Sequence, residues 1–198
     1  MAGREGPKSC TSEGPDLRTV IAMAVLERLR PDHAPALLAF ERENRAYFAA
    51  RVPDRGDAYF EEFDARLREL IEAQEAGEIH FHVLVAEGGE IVGRVNLVEV
   101  DADAGSAELG YRLAEKATGR GLATRGVREV CRLAVEEYGL SRLTAVVTVG
   151  NDASSAVLAR AGFGAVGGMT LDGEPCTAYE LDLTTVRGLS GGSGSDRP

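Results

Sequence analysis

Residues 107–138 read AELGYRLAEKATGRGLATRGVREVCRLAVEEY, and this stretch decides the fold. Its first part, 107–113, has the pattern of a β-strand. After a short turn, Gly119-Arg120-Gly121 opens a segment whose apolar residues recur at the spacing of one helical face. These residues are Ala123, Val127, Val130, Cys131, Ala134 and Tyr138. The stretch is therefore predicted to fold as a strand, a glycine loop and a helix.

A glycine loop directly before a helix suits a phosphate group. Consecutive backbone N–H groups can point at one spot there, and the helix N-terminus adds partial positive charge. Two common phosphate loops fit poorly. The chain has no G-x-x-x-x-G-K-S/T loop. A G-x-G-x-x-G fingerprint counted from Gly119 would need glycine where Thr124 stands.

Composition limits the class of protein. The chain has 198 residues, of which 44% are hydrophobic and 27% are charged, so we expect one globular domain, at residues 23–187. The net charge of −10 argues against a general nucleic-acid binder, which needs a basic face. An acidic protein instead permits cationic substrates such as amines.

Cysteine usage and hydropathy predict a cytoplasmic protein without a metal site or a membrane span. The cysteines, Cys10, Cys131 and Cys176, are odd in number and lack the spacing of a zinc site. No apolar run has the length of a membrane span, and the N-terminus lacks the apolar region of a signal peptide. Residues 1–22 are predicted to be a disordered extension from an upstream start codon, and residues 188–198 a disordered tail.

The remaining patterns give an element order of β-α-α-β-β-β-α-β-α-β-β, a mixed α/β fold. Helices are predicted to begin at Asp32 and Asp57 as N-caps, and the second is predicted to end at Gly77. Asn151 and Gly162 are predicted to cap the last helix. The predicted strands are 25–30, 79–87, 91–100, 107–113, 143–149, 165–171 and 177–183. Strands two to four are predicted to form an antiparallel meander, with strand five parallel to strand four.

Two motifs make the chain resemble the GNAT N-acetyltransferases. The acyl-coenzyme A loop of that family, Q/R-x-x-G-x-G/A, is matched at Thr118-x-x-Gly121-x-Ala123, with threonine at the first position. Residues 151–163, NDASSAVLARAGF, are similar to the N-x-x-S-x-x-x-L-x-x-x-G-F pattern of the RimJ/RimL branch, which acetylates ribosomal-protein N-termini. The LRPDH opening at 29–33 fits as well, and the element order resembles the GNAT fold over 25–186.

The resemblance implies acetyl-coenzyme A (acetyl-CoA) as the acyl donor. Backbone groups of residues 111–113 would pair with the pantetheine arm, residues 119–124 would hold the pyrophosphate, and Asn151 would lie beside the arm. The implied cofactor-binding residues are Tyr111, Arg112, Leu113, Thr118, Gly119, Arg120, Gly121, Leu122, Ala123, Thr124 and Asn151.

Acyl transfer to an amine needs a proton acceptor, donors to an oxyanion and assistance to the leaving sulfur. Glu108 is the candidate base, acting through water, and Ser154 the candidate partner of the sulfur. Many GNAT enzymes have a tyrosine where this chain has Leu158, and some have a glutamate where it has Val146. The chain therefore departs from the family at two positions that bear on its acid and base.

Each candidate has a structural alternative. Ser154 can bond to the start of its helix, and Glu108 can be a solvated strand charge. His80 and His82 share a strand face and are an alternative base, whereas Cys131 is predicted to pack in the core. Basic residues near the loop either attract phosphates or form a solvated face. They are Lys116, Arg120, Arg125 and Arg128.

The sequence thus predicts a cytoplasmic, acetyl-CoA-dependent N-acetyltransferase that works by direct transfer. Its acceptor would be a protein N-terminal amine or a small amine. Transfer of another acyl group, and a catalytically idle acyl-CoA-binding sensor, are the alternatives.

Overall fold

A seven-stranded mixed sheet forms the centre of the molecule, and the computed structural model describes residues 23–184. The strands are β1 (Val25–Arg28), β2 (His80–Val85), β3 (Ile91–Asp101), β4 (Ser106–Leu113), β5 (Arg142–Thr148), β6 (Gly164–Leu171) and β7 (Glu174–Asp182). Their order in the sheet is β1-β2-β3-β4-β5-β7-β6, and every pair is antiparallel except β4 with β5. The predicted extension at 1–22 and tail at 188–198 lie outside the described residues.

The predicted meander and the parallel fifth strand are confirmed. Strands β2, β3 and β4 pair antiparallel in succession, with His82 opposite Val95 and Val95 opposite Tyr111. A helix joins β4 to β5, which is why these two strands run parallel. The last hairpin begins earlier than predicted on both of its strands, at Gly164 and at Glu174.

The helical segment between β1 and β2 differs from the prediction, because its two predicted helices are four. The helices are α1 (Ala34–Glu43), α2 (Arg45–Ala49), α3 (Asp57–Glu61), α4 (Phe63–Glu75), α5 (Leu122–Glu136) and α6 (Asp152–Ala161). Short 3₁₀ helices cover Pro31–His33 and Glu115–Ala117.

Asn44 separates α1 from α2. Its side-chain Nδ2 donates to the Phe40 carbonyl at 2.9 Å, and its Oδ1 accepts from the Glu115 backbone N–H at 2.9 Å. A short polar side chain that bonds to nearby backbone competes with the helix, and the contact to Glu115 holds the break in place. A local sequence pattern cannot predict this contact, because Asn44 and Glu115 are far apart in the sequence.

Both predicted N-caps in this segment are wrong. Asp32 lies inside the first 3₁₀ helix, where its carboxylate accepts from Arg30 Nε at 3.1 Å, and the residue before α1 is His33. Asp57 is the first residue of α3, and its cap position is held by Gly56. The predicted end of α4 at Gly77 agrees with the positive φ of that residue, 80°.

The helices cover the sheet unevenly. Helix α5 packs closely against β2 and β3, since a Cβ added to Gly126 would lie 3.2 Å from Val95 Cγ2 and 3.4 Å from Leu84 Cδ1. Helix α6 joins the same core through Leu158. The opposite face of β2 and β3 is covered by α1 and α4, whose buried side chains include Phe40 and Leu67. Between these two helical layers the sheet itself is incomplete, because β4 and β5 pair over only part of their lengths.

Candidate active site

Strands β4 and β5 separate after a short common stretch. They pair only at Ser106–Arg142, Ala107–Leu143 and Glu108–Thr144. Beyond that point β4 stays paired with β3 as far as Leu113, and β5 stays paired with β7 as far as Thr148. A cleft of about 1080 Å³ opens where the two strands diverge. Main-chain groups of the second half of β4 therefore face the cleft without a strand partner on the β5 side.

The glycine loop stands at the end of this cleft. Gly121 is the N-cap of α5 in the left-handed region, with φ 74°, and Gly119 has φ 72°. A Cβ added to either glycine would meet no atom within 4 Å, so backbone conformation is what requires glycine there. Among the described residues no side chain caps α5, so its first-turn N–H groups are available to an anion.

Almost all the predicted cofactor-binding residues line this one cleft. Arg120 alone does not, because its side chain is exposed outside it. The lining residues are Tyr111, Arg112, Leu113, Thr118, Gly119, Gly121, Leu122, Ala123, Thr124 and Asn151. Strand β4, the loop and the start of α6 thus converge on a single concave surface.

Ser154 also lines the cleft, and its hydroxyl is not the helix cap. The cap of α6 is Asn151, as predicted, whose Oδ1 accepts from the Ser154 backbone N–H at 3.2 Å. The Ser154 side chain lies near the Tyr111 hydroxyl, where it partly offsets the rise in the Tyr111 pKa caused by burial. Two neutral hydroxyl groups therefore lie together in the cleft. The resemblance assigns a role only to the backbone of Tyr111, although strand alternation puts its side chain on the opposite face of β4 from Glu108.

Glu108 lies on the other face of the sheet from Ser154. It is opposite Val98 and Thr144, and it alternates with the buried Ala107 and Leu109. Its side chain does not line the cleft, but it stands at the last β4–β5 pair, where the two strands begin to diverge. Burial, and then the charge of Glu99, raises its pKa. A carboxyl with a raised pKa is a better proton acceptor at neutral pH than an ordinary one.

Comparison with known proteins agrees with this geometry. Residues 24–164 match the family described as Acetyltransferase (GNAT) domain. The chain belongs to the GNAT acetyltransferases, and its reaction is the transfer of an acetyl group to an amine. "Probable N-acetyltransferase YjcK" of Bacillus subtilis is 33% identical over 131 residues, which make up 64% of this chain and 72% of that protein.

Solved structures show the same fold. The ribosomal-protein-S5-alanine acetyltransferase from Vibrio fischeri has a TM-score of 0.75 at 22% identity, over 79% of this chain and 91% of that chain. Mycobacterium smegmatis RimJ, solved in complex with CoA-disulfide, has a TM-score of 0.75 at 21% identity, over 84% and 85% of the two chains. At these identities the likeness concerns the fold.

The basic residues of this GNAT chain divide into two groups. Arg125 and Arg128 line the cleft, where Arg128 Nε donates to the Arg160 carbonyl at 3.2 Å and so ties α5 to α6. Lys116 and Arg120 lie outside it, and Lys116 pairs with Glu90. Positive charge therefore gathers near the start of α5, and only part of the predicted cluster contributes to it.

The alternative base candidates lie away from the cleft. His82 Nε2 is 2.8 Å from the Tyr138 hydroxyl, and the His80 ring stacks on Tyr138 at a centroid distance of 3.5 Å. Burial lowers the pKa of both histidines to about 4. Cys131 is buried in the core as predicted, and burial raises its pKa to about 12, so the thiol stays protonated.

Metal-binding clusters and membrane-spanning helices are both absent from residues 23–184. In that part of the chain no group of three or more His, Cys, Asp or Glu side chains is placed to hold a metal ion. Nor is any helix of the same range long and apolar enough to cross a membrane.

Proposed function

We propose that the protein is a cytoplasmic enzyme that transfers the acetyl group of acetyl-CoA directly to a primary amine, the α-amine of a polypeptide being the favoured acceptor. The observation that carries the proposal is the cleft itself. It combines an unpaired β4 edge with an uncapped helix start at Gly121, two features that suit an extended amide chain ending in a pyrophosphate. The similarity to proteins that acetylate ribosomal-protein N-termini supports the acceptor.

The donor would lie along β4 as an additional strand. The unpaired N–H and C=O groups of residues 111–113 would bond to the amides of the pantetheine arm, in the manner of β-augmentation. The first-turn N–H groups of α5 would hold the pyrophosphate, and Arg125 and Arg128 would add positive charge beside it. The Asn151 side chain, occupied in capping α6, would fix the neighbouring wall.

The positions of Glu108 and Ser154 on opposite faces of the sheet support separate catalytic roles for them. Glu108 accepts a proton from the attacking amine through a water molecule as the new N–C bond forms. Ser154 donates a hydrogen bond or a proton to the sulfur as the C–S bond breaks, and the Tyr111 hydroxyl beside it holds Ser154 in position. The two groups would act on opposite sides of the thioester, as an acid and a base must if they are not to exchange protons directly.

Release of free thiol from acetyl-CoA tests this function. We expect release with peptides that have a free N-terminus, and none with matched peptides whose N-terminus is already acetylated but which contain lysine. Mass spectrometry would locate the new acetyl group on the α-amine. Tight CoA binding without thiol release across a panel of peptides and small amines would instead identify an acyl-CoA sensor. Faster release of free thiol from another acyl-CoA would show that the preferred donor is not acetyl-CoA.

A further inference from the structure

Four charged side chains meet on the sheet face that carries Glu108, beneath α1. Arg94 on β3 and Arg112 on β4 are directly opposite each other in the strand register. Glu41 of α1 lies over them, with its Oε1 3.1 Å from Arg94 Nε and its Oε2 3.9 Å from Arg112 Nη1. Arg55, in the loop before α3, brings Nη1 to 3.8 Å from Glu41 Oε1. We call these four residues the arginine cluster.

The arginine cluster has more positive charge than it can neutralise. It contains three guanidinium groups and one carboxylate, and Glu41 and Arg94 are only 2% and 7% exposed. Within the described chain, Glu41 is the one carboxylate whose charge acts on the pKa of Arg94 or Arg112, whereas the neighbouring arginines lower both pKa values. Like charges opposite each other on adjacent strands destabilise a sheet, and buried charges need partners.

Hydrogen bonding leaves the cluster incomplete as well. Arg94 Nε and Glu41 Oε1 are close, but the Arg94 N–H is not aligned with the oxygen. Neither atom therefore makes a hydrogen bond to any described residue. A fully buried structural ion pair would be expected to satisfy both atoms. The unmatched positive charge, together with the unused Arg94 Nε donor, is the condition of a site that is completed by an anion, whereas Glu41 Oε1 can only accept a hydrogen bond.

The cluster is open on the side of the cleft. The side chains of Arg112 and Arg55 are 23% and 27% exposed, and Arg112 lines the cleft. Aromatic rings hold both guanidinium groups in place, since Arg112 lies 5.2 Å from the centre of the Phe48 ring and Arg55 lies 4.4 Å from that of Tyr59. Stacked arginines present a fixed planar fork to a carboxylate.

We propose that Arg55 and Arg112, supported by Arg94, bind a carboxylate of the acceptor, so that the enzyme selects amines that also carry an acidic group. The proposal rests on the proposed function, and it names the substrate class of the same site. Although the acidity of the whole chain permits cationic substrates such as amines, the local charge at the acceptor side is positive and suits an amine that also carries a carboxylate.

The spacing fits such an acceptor. Glu108 and Arg112 lie four residues apart on one strand and one face, which is roughly 13 Å. Gly110 lies between them on that face, is exposed, and a Cβ added to it would meet no atom within 4 Å. The floor between base and arginine is therefore open. An amine held near Glu108 would reach the arginines with a carboxylate of its own first or second residue.

Matched acceptors test the proposal. We would compare kcat/KM for peptide pairs that differ only in Glu against Gln at the first or second position, and for free glutamate against glutamine. We expect the acidic member of a pair to be favoured at least tenfold, mainly through a lower KM. Comparison of the peptide pairs with the glutamate and glutamine pair shows whether the preferred acceptor is an acidic peptide or an acidic free amino acid. Equal kcat/KM within every pair would overturn the proposal.

Variants assign the preference to the cluster. Arg55→Gln should remove most of the preference for the acidic acceptor, measured as the ratio of the two kcat/KM values within a peptide pair, and Arg55→Lys should restore part of that ratio. Arg42→Gln makes the same charge change on an exposed arginine of α1 outside the cluster, and it should keep the full preference. Loss of the preference in Arg42→Gln to the same extent as in Arg55→Gln would show a general charge effect and would contradict the site.

A binding measurement separates this proposal from the proposed function. Calorimetry of the same peptides with the CoA-bound protein does not depend on turnover. If CoA binds but no peptide releases thiol, the proposed function fails while the binding comparison still decides the site. Tighter binding of the acidic peptide, abolished by Arg55→Gln, supports the carboxylate site, and equal binding of the two peptides refutes it.

Discussion

The proposed active site has a donor wall in the cleft and an acceptor wall that meets the cleft at Arg112, and the two walls would recognise their ligands in different ways. The donor wall is a continuous run of chain, residues 118–124, whose glycines and uncapped N–H groups offer main-chain contacts. The acceptor wall is assembled from side chains on separate elements, with Glu41, Arg94 and Arg112 brought together by α1 and two strands. Main-chain contacts suit a donor common to a whole family, whereas placed side chains suit an acceptor that differs between members. A change at one wall should therefore leave the ligand of the other wall bound.

The largest effect is expected at the donor wall, from Gly121→Asp. The new side chain must adopt φ near 74°, and its carboxylate would occupy the place of the pyrophosphate at the helix start. We expect CoA affinity to fall by roughly a thousandfold in calorimetry, by analogy with the loss of several charge-assisted bonds.

Gly139→Asp is the matched control for this variant. Gly139 also has a positive φ, 67°, and follows the other end of α5, away from the cleft. It should lose a similar amount of stability while CoA affinity stays normal. Equal loss of affinity in both variants would mean that backbone strain, not the anion site, explains the first result.

A smaller effect is expected from Glu108→Gln, which keeps the shape of the side chain and removes its basicity. We expect kcat to fall by roughly a hundredfold while acetyl-CoA binding is unchanged. Because burial and Glu99 raise the Glu108 pKa, activity of the parent should decline as the pH falls through that raised value. The variant should lack this acidic limb in its pH–rate profile. A parental kcat with the limb intact would exclude Glu108 as the base.

Local patterns are enough to predict the glycine loop and the cap of α6. Glycine before a periodic helix, and Asn151 before another, act through backbone preferences of the residues themselves, so the loop and the cap of α6 could be read from short stretches. The order of the strands followed from the same periodicities.

The acceptor wall could not be predicted in that way. Arg94 and Arg112 become neighbours only through the β3–β4 register, and Glu41 meets them only because α1 packs over those strands. The break at Asn44 likewise depends on its contact with Glu115. Strand alternation, by contrast, is enough to place the side chains of Glu108 and Tyr111 on opposite faces of β4.

Variants of Ser154 and Asn151 should separate an effect on catalysis from an effect on stability. Because Asn151 supplies the cap and Ser154 only its backbone N–H, Ser154→Ala should leave stability nearly unchanged while kcat falls roughly tenfold. Asn151→Ala should instead cost about 1 kcal/mol of unfolding free energy, the usual value for a lost cap. Thermal melts and steady-state kinetics on both variants check this. Normal turnover in Ser154→Ala would leave Tyr111→Phe as the remaining test of a proton donor in the cleft.

The smallest expected effect lies outside both walls, at His80 and His82. Their pKa of about 4 in the folded protein is below the value of about 6.5 for an unfolded chain, mainly because both rings are buried against Tyr138. Between these two pH values the unfolded chain binds more protons than the folded one. The contribution of the pair to stability is therefore complete above pH 6.5 and is lost as the pH falls toward 4.

Chemical denaturation at pH 7 and pH 5 should show this loss as about 2 kcal/mol of unfolding free energy per histidine. In the double variant His80→Phe, His82→Gln, the first change keeps the stacked ring and the second keeps a polar group for the Tyr138 hydroxyl, while neither side chain titrates. Its stability should change much less over the same interval, in which ordinary carboxylates are already ionised. An identical slope in parent and double variant would assign the acid sensitivity to other groups. Unchanged CoA affinity of the double variant at pH 7 would also show that the cleft does not depend on this pair.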